Sequence, residues 1–364
     1  MKTLKKILNH IFIEGMSGMA SGLFATLIIG TILTQIGSGI MSASGATEGV
    51  VYICGSMIWY MGKIASAVTG AGIGVATAVR LKMPMYVVVS SATAGMVGAF
   101  AAKMIGGQLM NGGAVVLAGP GEPLGAFIAA MVAINVGRLV AGKTKVDILI
   151  TPLVSIVSGS AVGLLLGPPI SEFMAGVGAM VNWGTEQQPL LMGIVVSVLM
   201  GVILTLPISS AAVGVVLNLS GLAAGAATVG CCANMIGFAV ASWRENKMGG
   251  LLAQGLGTSM LQMPNIMRRP VIWLPAILSS AILGPISTMV LGMSNNATGS
   301  GMGTAGLVGP IMAYQTMVET QAPWMVLLQI AIMHFILPAL LSLGFSELFR
   351  RLGWIRLGDM KLDL

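Results

Sequence analysis

Few side chains in this 364-residue sequence could do chemistry, and the rest of the chain is apolar enough to make each one conspicuous. Glu122 lies in Gly119-Pro120-Gly121-Glu122-Pro123, where two prolines and two glycines unwind the chain beside a carboxylate. Such a place either binds a polar solute or caps the helix that begins at Pro123, and both readings stay open. Glu186, followed by Gln187, Gln188 and Pro189, reads as a capping or interfacial carboxylate, and Glu319 before Trp324 as an interfacial one. His334 is the only histidine inside an apolar stretch. A lone imidazole can relay protons, but no acidic partner stands within a helical turn, which favours an inter-helix hydrogen bond. Cys231 and Cys232 could form a redox pair, yet in apolar surroundings they read as small packing side chains. Gly301-Met302-Gly303-Thr304-Ala305-Gly306 spells GxGxxG, but no strand precedes it and no acidic residue follows at the required distance, so nucleotide binding is not expected. Paired carboxylates, histidine clusters and nucleophile triads are missing from the sequence, and no cofactor or metal site is expected.

The elements that must position these residues follow from composition. The chain is 56% hydrophobic and 8% charged, with a mean hydropathy of +0.94, whereas soluble chains carry about 25% charged residues. A water-facing surface cannot be built from 18 basic and 11 acidic side chains at this length, so the solvent is largely lipid. About 20 apolar residues span a bilayer. On that ruler spans are expected near 17–40, 84–102, 122–142, 147–167, 188–206, 222–243, 271–293 and 322–345, with a further span or pair in 48–79 interrupted by Lys63, Gly70, Gly72 and Gly74. The expected total is eight to ten crossings.

The 51 glycines fit close helix packing and broken helices. Four segments are too short or too broken for clean spans: 104–121, 207–221, 250–266 and 294–310. Backbone that leaves the helix at membrane depth survives only when buried in protein or lining a polar cavity, so function is expected there. Basic residues sit at ends and turns, as positive-inside loops do, and make no stripe for nucleic acid. Residues 1–14 read as an interfacial amphipathic helix, retained because no small-residue cleavage site follows; 15–345 reads as one transmembrane domain and 346–364 as a basic cytoplasmic tail. Both termini are expected in the cytoplasm.

From Glu122 to Pro310 the order of landmarks resembles the membrane subunit, enzyme IIC, of the bacterial phosphoenolpyruvate-dependent sugar phosphotransferase system, most of all its fructose-type branch. A glycine- and alanine-rich span, Gly125 to Gly142, ends in basic residues. A span opening on Pro152 closes with Leu166-Gly167-Pro168-Pro169-Ile170, and another runs into Pro207-Ile208-Ser209-Ser210-Ala211-Ala212. After a short basic loop, Arg244 to Lys247, comes the hairpin Gly257-Thr258-Ser259-Met260-Leu261-Gln262-Met263-Pro264, with Pro270 six positions on. The stretch from Gln188 to Ala212 looks closer still to stand-alone IIC-like proteins, some described as toxin regulators. The departures also matter. Met260 stands where the fructose type has an acidic residue, Arg269 and Ile203 stand where it has aspartates, and Ser209 and Ser210 replace an Asn and a Lys. A thioether is a weak acceptor, and each buried sugar hydroxyl left unpartnered costs about 1–3 kcal/mol.

The resemblance implies an all-α polytopic membrane protein of the enzyme IIC fold with re-entrant hairpins, a homodimer in the bacterial cytoplasmic membrane. It implies alternating access of a small polar, sugar-like solute, with the hairpins 207–221 and 250–266 meeting near mid-membrane. Hairpin composition and the resemblance together assign Ser209, Ser210, Asn218, Ser259, Gln262 and Asn265 as neutral hydrogen-bonding groups, with Glu122 or Arg268 as the nearby charge. The missing hairpin acid makes phosphoryl coupling doubtful. No IIA or IIB domain is fused in the sequence, so a phosphoryl donor would act in trans, and the chain is not expected to be an enzyme by itself. Two alternatives remain: a membrane-bound ligand sensor without net transport, and an ion-coupled carrier of a non-sugar solute using Glu122 or His334.

Overall fold

The computed structural model describes residues 9–45, 48–111, 113–117, 119–208, 210–217 and 219–362. Among them eight helices are long and apolar enough to cross a membrane: α1 Met16–Ala43, α2 Val50–Ala67, α4 Met85–Ile105, α5 Pro123–Val140, the Asp147–Ile170 part of α6, α9 Gly221–Ala241, α12 Pro270–Val290 and α14 Pro323–Arg351. Thr69–Arg80 forms the shorter α3, so the stretch 48–79 holds two helices rather than one. Helix α6 continues to Thr185 through Pro168 and Pro169, past the expected end of its span. Pro189–Thr205 forms α7, an apolar helix of 17 residues, and Ser210–Val216 a short α8. Shorter helices include α10 Trp243–Leu252, α11 Met263–Arg268 and α13 Val308–Met317. The sole sheet among the described residues is a ribbon pairing Met110 with Val115 and Asn111 with Ala114. Of the N-terminal interfacial helix, residues 1–8 lie outside the described residues.

The chain divides into two compact units, Met1–Phe173 and Met174–Leu364. In the first unit glycines let neighbouring helices approach to backbone distance. A Cβ on Gly22 of α1 would stand 2.4 Å from the carbonyl oxygen of Gly72 in α3, and one on Gly98 of α4 2.3 Å from that of Gly125 in α5. Lipid tails are as apolar as leucine, so helices in a bilayer associate through such close packing. The outer face of α2 leaves Val51, Ile53, Met57, Met61 and Ile64 exposed, a surface that suits acyl chains and not water.

The second unit is built around α9, whose inner residues from Ala224 to Met235 are all buried. It crosses α7 where Gly230 meets the Ser197 carbonyl, and α7 crosses α12 where Gly193 meets Gly284. The Ser197 hydroxyl donates to the Ser280 carbonyl at 2.8 Å, tying the same crossing with a hydrogen bond. Cys231 and Cys232 are free thiols with no exposure, packed as small side chains in α9. Gly301 lies against the Ser210 backbone and Gly303 against Cys231, so the GxGxxG stretch is a close-packed turn. His334 is buried in a wide helical turn, Ala331–Ile336, and its Nδ1 has no hydrogen-bond partner among the described residues. The expected inter-helix bond is absent at that atom because apolar residues pack this stretch of α14.

Candidate functional site

Between α10 and α12 the regular α-helix is broken into a series of short turns. Helix α10 ends at Leu252 and passes into a wide turn, Ala253–Gly257. Thr258 is extended at φ −161°, and its hydroxyl caps the next turn by accepting from the Met260 amide at 3.2 Å. A 3-10 turn, Ser259–Gln262, then runs into α11, where Pro264 takes a first-turn position that needs no N–H donor. The capping threonine and the first-turn proline are local reasons why this sequence breaks here.

This broken segment, read from sequence as a hairpin, gathers amides and hydroxyls in a buried place. Ser259 and Gln262 have no exposure and Asn265 is buried. The Asn265 amide donates to Gln262 Oε1 at 2.9 Å, and Gln262 Nε2 donates to Gln254 Oε1 at 2.9 Å. Gln254 in turn donates to the Ser242 hydroxyl at 2.9 Å. On the other side Ser259 Oγ lies 2.7 Å from Thr205 Oγ1 at the end of α7. A second amide, Asn234 in α9, accepts from the Trp273 indole at 2.9 Å and donates to Ser280 Oγ at 3.2 Å. Buried polar groups are high-stakes when unpaired, and here they satisfy one another. Gln254, Thr205, Asn234 and Trp273 were not singled out from sequence. Asn234 carried a legible signal, because an amide inside an otherwise apolar span is expensive and marks function by default.

The other expected site residues fall elsewhere. Ser210 is buried, and its hydroxyl donates to the Gly301 carbonyl at 2.6 Å. Thr304 donates to the Gly255 carbonyl at 2.5 Å. The segment 294–310 therefore links the 207–217 stretch to the 250–266 hairpin. Ser209 and Asn218 lie outside the described residues. Arg268 is exposed at the end of α11. Glu122 belongs to the first unit, where it is the N-cap of α5: its Oε1 accepts from the Leu124 amide at 3.5 Å, and its own amide donates to the Ala99 carbonyl at 2.8 Å. The second unit also carries a groove of about 440 Å³ lined by Ala179, Met180, Trp183, Val195 and Leu199. Its apolar lining does not suit a polyol.

The basic residues of the second unit share one end with the hairpin. Arg244 pairs with Glu347 at 3.0 Å, Arg350 with Glu245 at 3.4 Å and Arg269 with Asp359 at 3.8 Å. These contacts bring the start of α10 to the end of α14, and the end of α11 to the segment after α14.

No curated protein matches the chain. The profile of the family described as "Phosphotransferase system, EIIC" matches residues 13–362, which covers every helix named above. With eight apolar membrane-length helices, the chain belongs to the phosphotransferase-system EIIC family and is a multi-pass membrane subunit of the permease type.

Proposed function

We propose that this protein carries a small polar, sugar-like solute across the bacterial cytoplasmic membrane by alternating access, with the 250–266 hairpin as its binding element. The observation that carries the reading is the set of Ser259, Gln262 and Asn265, joined by Gln254 and Thr205, buried on one broken hairpin. Amides and hydroxyls both donate and accept, which matches a polyol. With Met260 where the fructose-type branch has an acidic residue, recognition rests on neutral hydrogen bonds. Asn234 and Trp273 support the hairpin from α9 and α12.

The same reading places the basic end of the second unit in the cytoplasm, because Arg244, Lys247, Arg268, Arg269, Arg350 and Arg351 sit at helix ends there, as positive-inside topology requires. Family membership implies in general a sugar substrate and IIA and IIB partners acting in trans. The resemblance adds a homodimer with both ends of the chain inside. A sensor that binds without moving its ligand is the second reading, favoured by the missing acid at Met260.

Counterflow separates the two. Proteoliposomes loaded with an unlabelled hexose or hexitol should accumulate the same compound in labelled form for at least one member of a panel. Saturable binding by a compound that is never exchanged would instead establish the sensor.

A further inference from the structure

The amides assigned to solute are already engaged by another part of the chain. After α14 the backbone turns through Gly353 and Gly358, both at positive φ, and lays residues 356–362 across the open end of the hairpin. Gln262 Nε2 donates to the Met360 carbonyl at 2.9 Å, and Asn265 Nδ2 to the Lys361 carbonyl at 2.8 Å. Asn246 grips the same stretch from both sides: its Nδ2 donates to the Met360 carbonyl at 2.8 Å, and its Oδ1 accepts from the Leu362 amide at 2.8 Å. Glu245 Oε1 accepts from the Gly358 amide at 2.8 Å, and Asp359 folds back onto the Arg356 amide at 2.8 Å while facing Arg269. Met360 has no exposure, whereas Leu357 is 74% exposed.

The character of this contact is unlike that of a core. It is made almost wholly by side-chain amides and carboxylates bonding to backbone, and one side chain, Met360, is inserted. Two successive carbonyl oxygens, of Met360 and Lys361 at the end of the 357–360 turn, offer the acceptor pattern that solute hydroxyls would offer to Gln262 and Asn265. Asn246 and Glu245 hold the segment without belonging to the hairpin. The residue after Asn246, Lys247, adopts φ 51° and ψ −147°, a conformation rare for a residue with a side chain. Such strain persists only where the surroundings enforce it, and here it turns α10 so that Gly250 packs against the Asn246 side chain.

We propose that residues 356–362 form an internal gate: a pseudo-ligand that occupies the hairpin amides at the basic end of the protein and must leave before solute reaches or departs from them on that side. The inference rests on the reading of the hairpin as the solute site. Binding of solute and docking of the segment are then mutually exclusive, and anything that draws the basic segment away, such as an acidic partner surface, opens the site.

The test needs no identified solute. In a Cys54→Ser background, which leaves the buried Cys231 and Cys232 as the native thiols, Gln262→Cys is introduced and its labelling rate by a charged, membrane-impermeant methanethiosulfonate is followed in purified protein. Two releases are compared: Asn246→Ala with Asp359→Ala, and deletion of residues 356–364. Both should raise the rate at least tenfold over the parent. A rate within twofold of the parent in either folded release overturns the gate. Loss of the monodisperse form on deletion overturns it too, since the segment would then be part of the core. If release speeds labelling while Gln262→Ala leaves counterflow intact, the segment is displaceable but the solute site fails, and the gate that rests on it fails with it. If Gln262→Ala abolishes counterflow while release leaves labelling unchanged, the gate alone fails.

Discussion

Gly230→Ala should destabilise the protein by about 3 kcal/mol or more, at the upper end of what an added methyl costs in a packed interior. A Cβ there would stand 1.9 Å from the Ser197 carbonyl oxygen and 2.6 Å from the Ser197 Cα, so the obstacle is backbone and cannot rotate away. The α7–α9 crossing has no slack nearby. A Cβ on Gly201 would meet the Asn234 amide and the Gly230 carbonyl, and Ser197 is tied to α12 through Ser280. Moving α9 outward would also pull Asn234 from Trp273 and Thr205. The reading is the melting temperature in detergent. Gly344→Ala is the matched control, because its Cβ would meet nothing within 4 Å; it should be neutral or stabilising by up to about 1 kcal/mol, as glycine in a helix interior is the weaker former. Equal melting temperatures for the two variants would mean that the close crossing does not hold the unit together.

Arg350→Ala should cost about 3–5 kcal/mol, the usual penalty for leaving one partner of a buried ion pair alone. The Arg350 and Glu245 side chains are 9% and 3% exposed, and Arg350 also donates to the Ala241 carbonyl at the end of α9 at 3.1 Å. Glu245 Oε2 and Arg350 Nε have no hydrogen-bond partner among the described residues, so the pair is imperfectly satisfied even when intact. That asymmetry predicts the outcome of a double-mutant cycle. Arg350→Met combined with Glu245→Gln should melt closer to wild type than either single substitution, because both charges leave together. If the double variant were the least stable of the three, the pair would be contributing net stabilisation and the desolvation argument would be wrong.

The spans were legible because their cause is local. About 20 apolar residues suffice to cross a bilayer, and the expected 84–102, 122–142, 222–243 and 271–293 stand within a few residues of Met85–Ile105, Pro123–Val140, Gly221–Ala241 and Pro270–Val290. The break at 250–266 was legible too, since glycines, Thr258 and Pro264 are punctuation that acts on the nearest turn. The partners of the break were not. Gln254 and Gln262 are eight residues apart, Thr205 lies 54 residues from Ser259, and Met360 lies 98 from Gln262. Such pairings are set by how glycine-lined helices cross, and no local pattern encodes them. The segment 346–364 read as a headgroup-facing tail from its alternation of basic and apolar residues. Residues up to Arg351 continue α14, and residues 356–362 bond through backbone amides and carbonyls, which every residue carries and composition cannot distinguish. Glu122 shows the converse. Both of its readings were visible in sequence, and the helix cap is the one whose partner, the Leu124 amide, the fold supplies.

The claim that the buried amides of the 250–266 hairpin bind the solute is tested most directly by measuring binding, independent of transport. Wild-type protein is screened by thermal shift against unphosphorylated hexoses and hexitols, and the affinity of the best compound is compared in Ser259→Ala with Gln262→Ala. Each buried hydrogen bond to a polar group contributes about 0.5–1.5 kcal/mol, and a partner left unpaired about 1–3 kcal/mol, so the double variant should bind at least tenfold more weakly, since about 1.4 kcal/mol is a tenfold change in Kd. The melting temperature without ligand reports folding separately. An affinity equal to wild type in a folded double variant would contradict the account and move the solute site away from the hairpin.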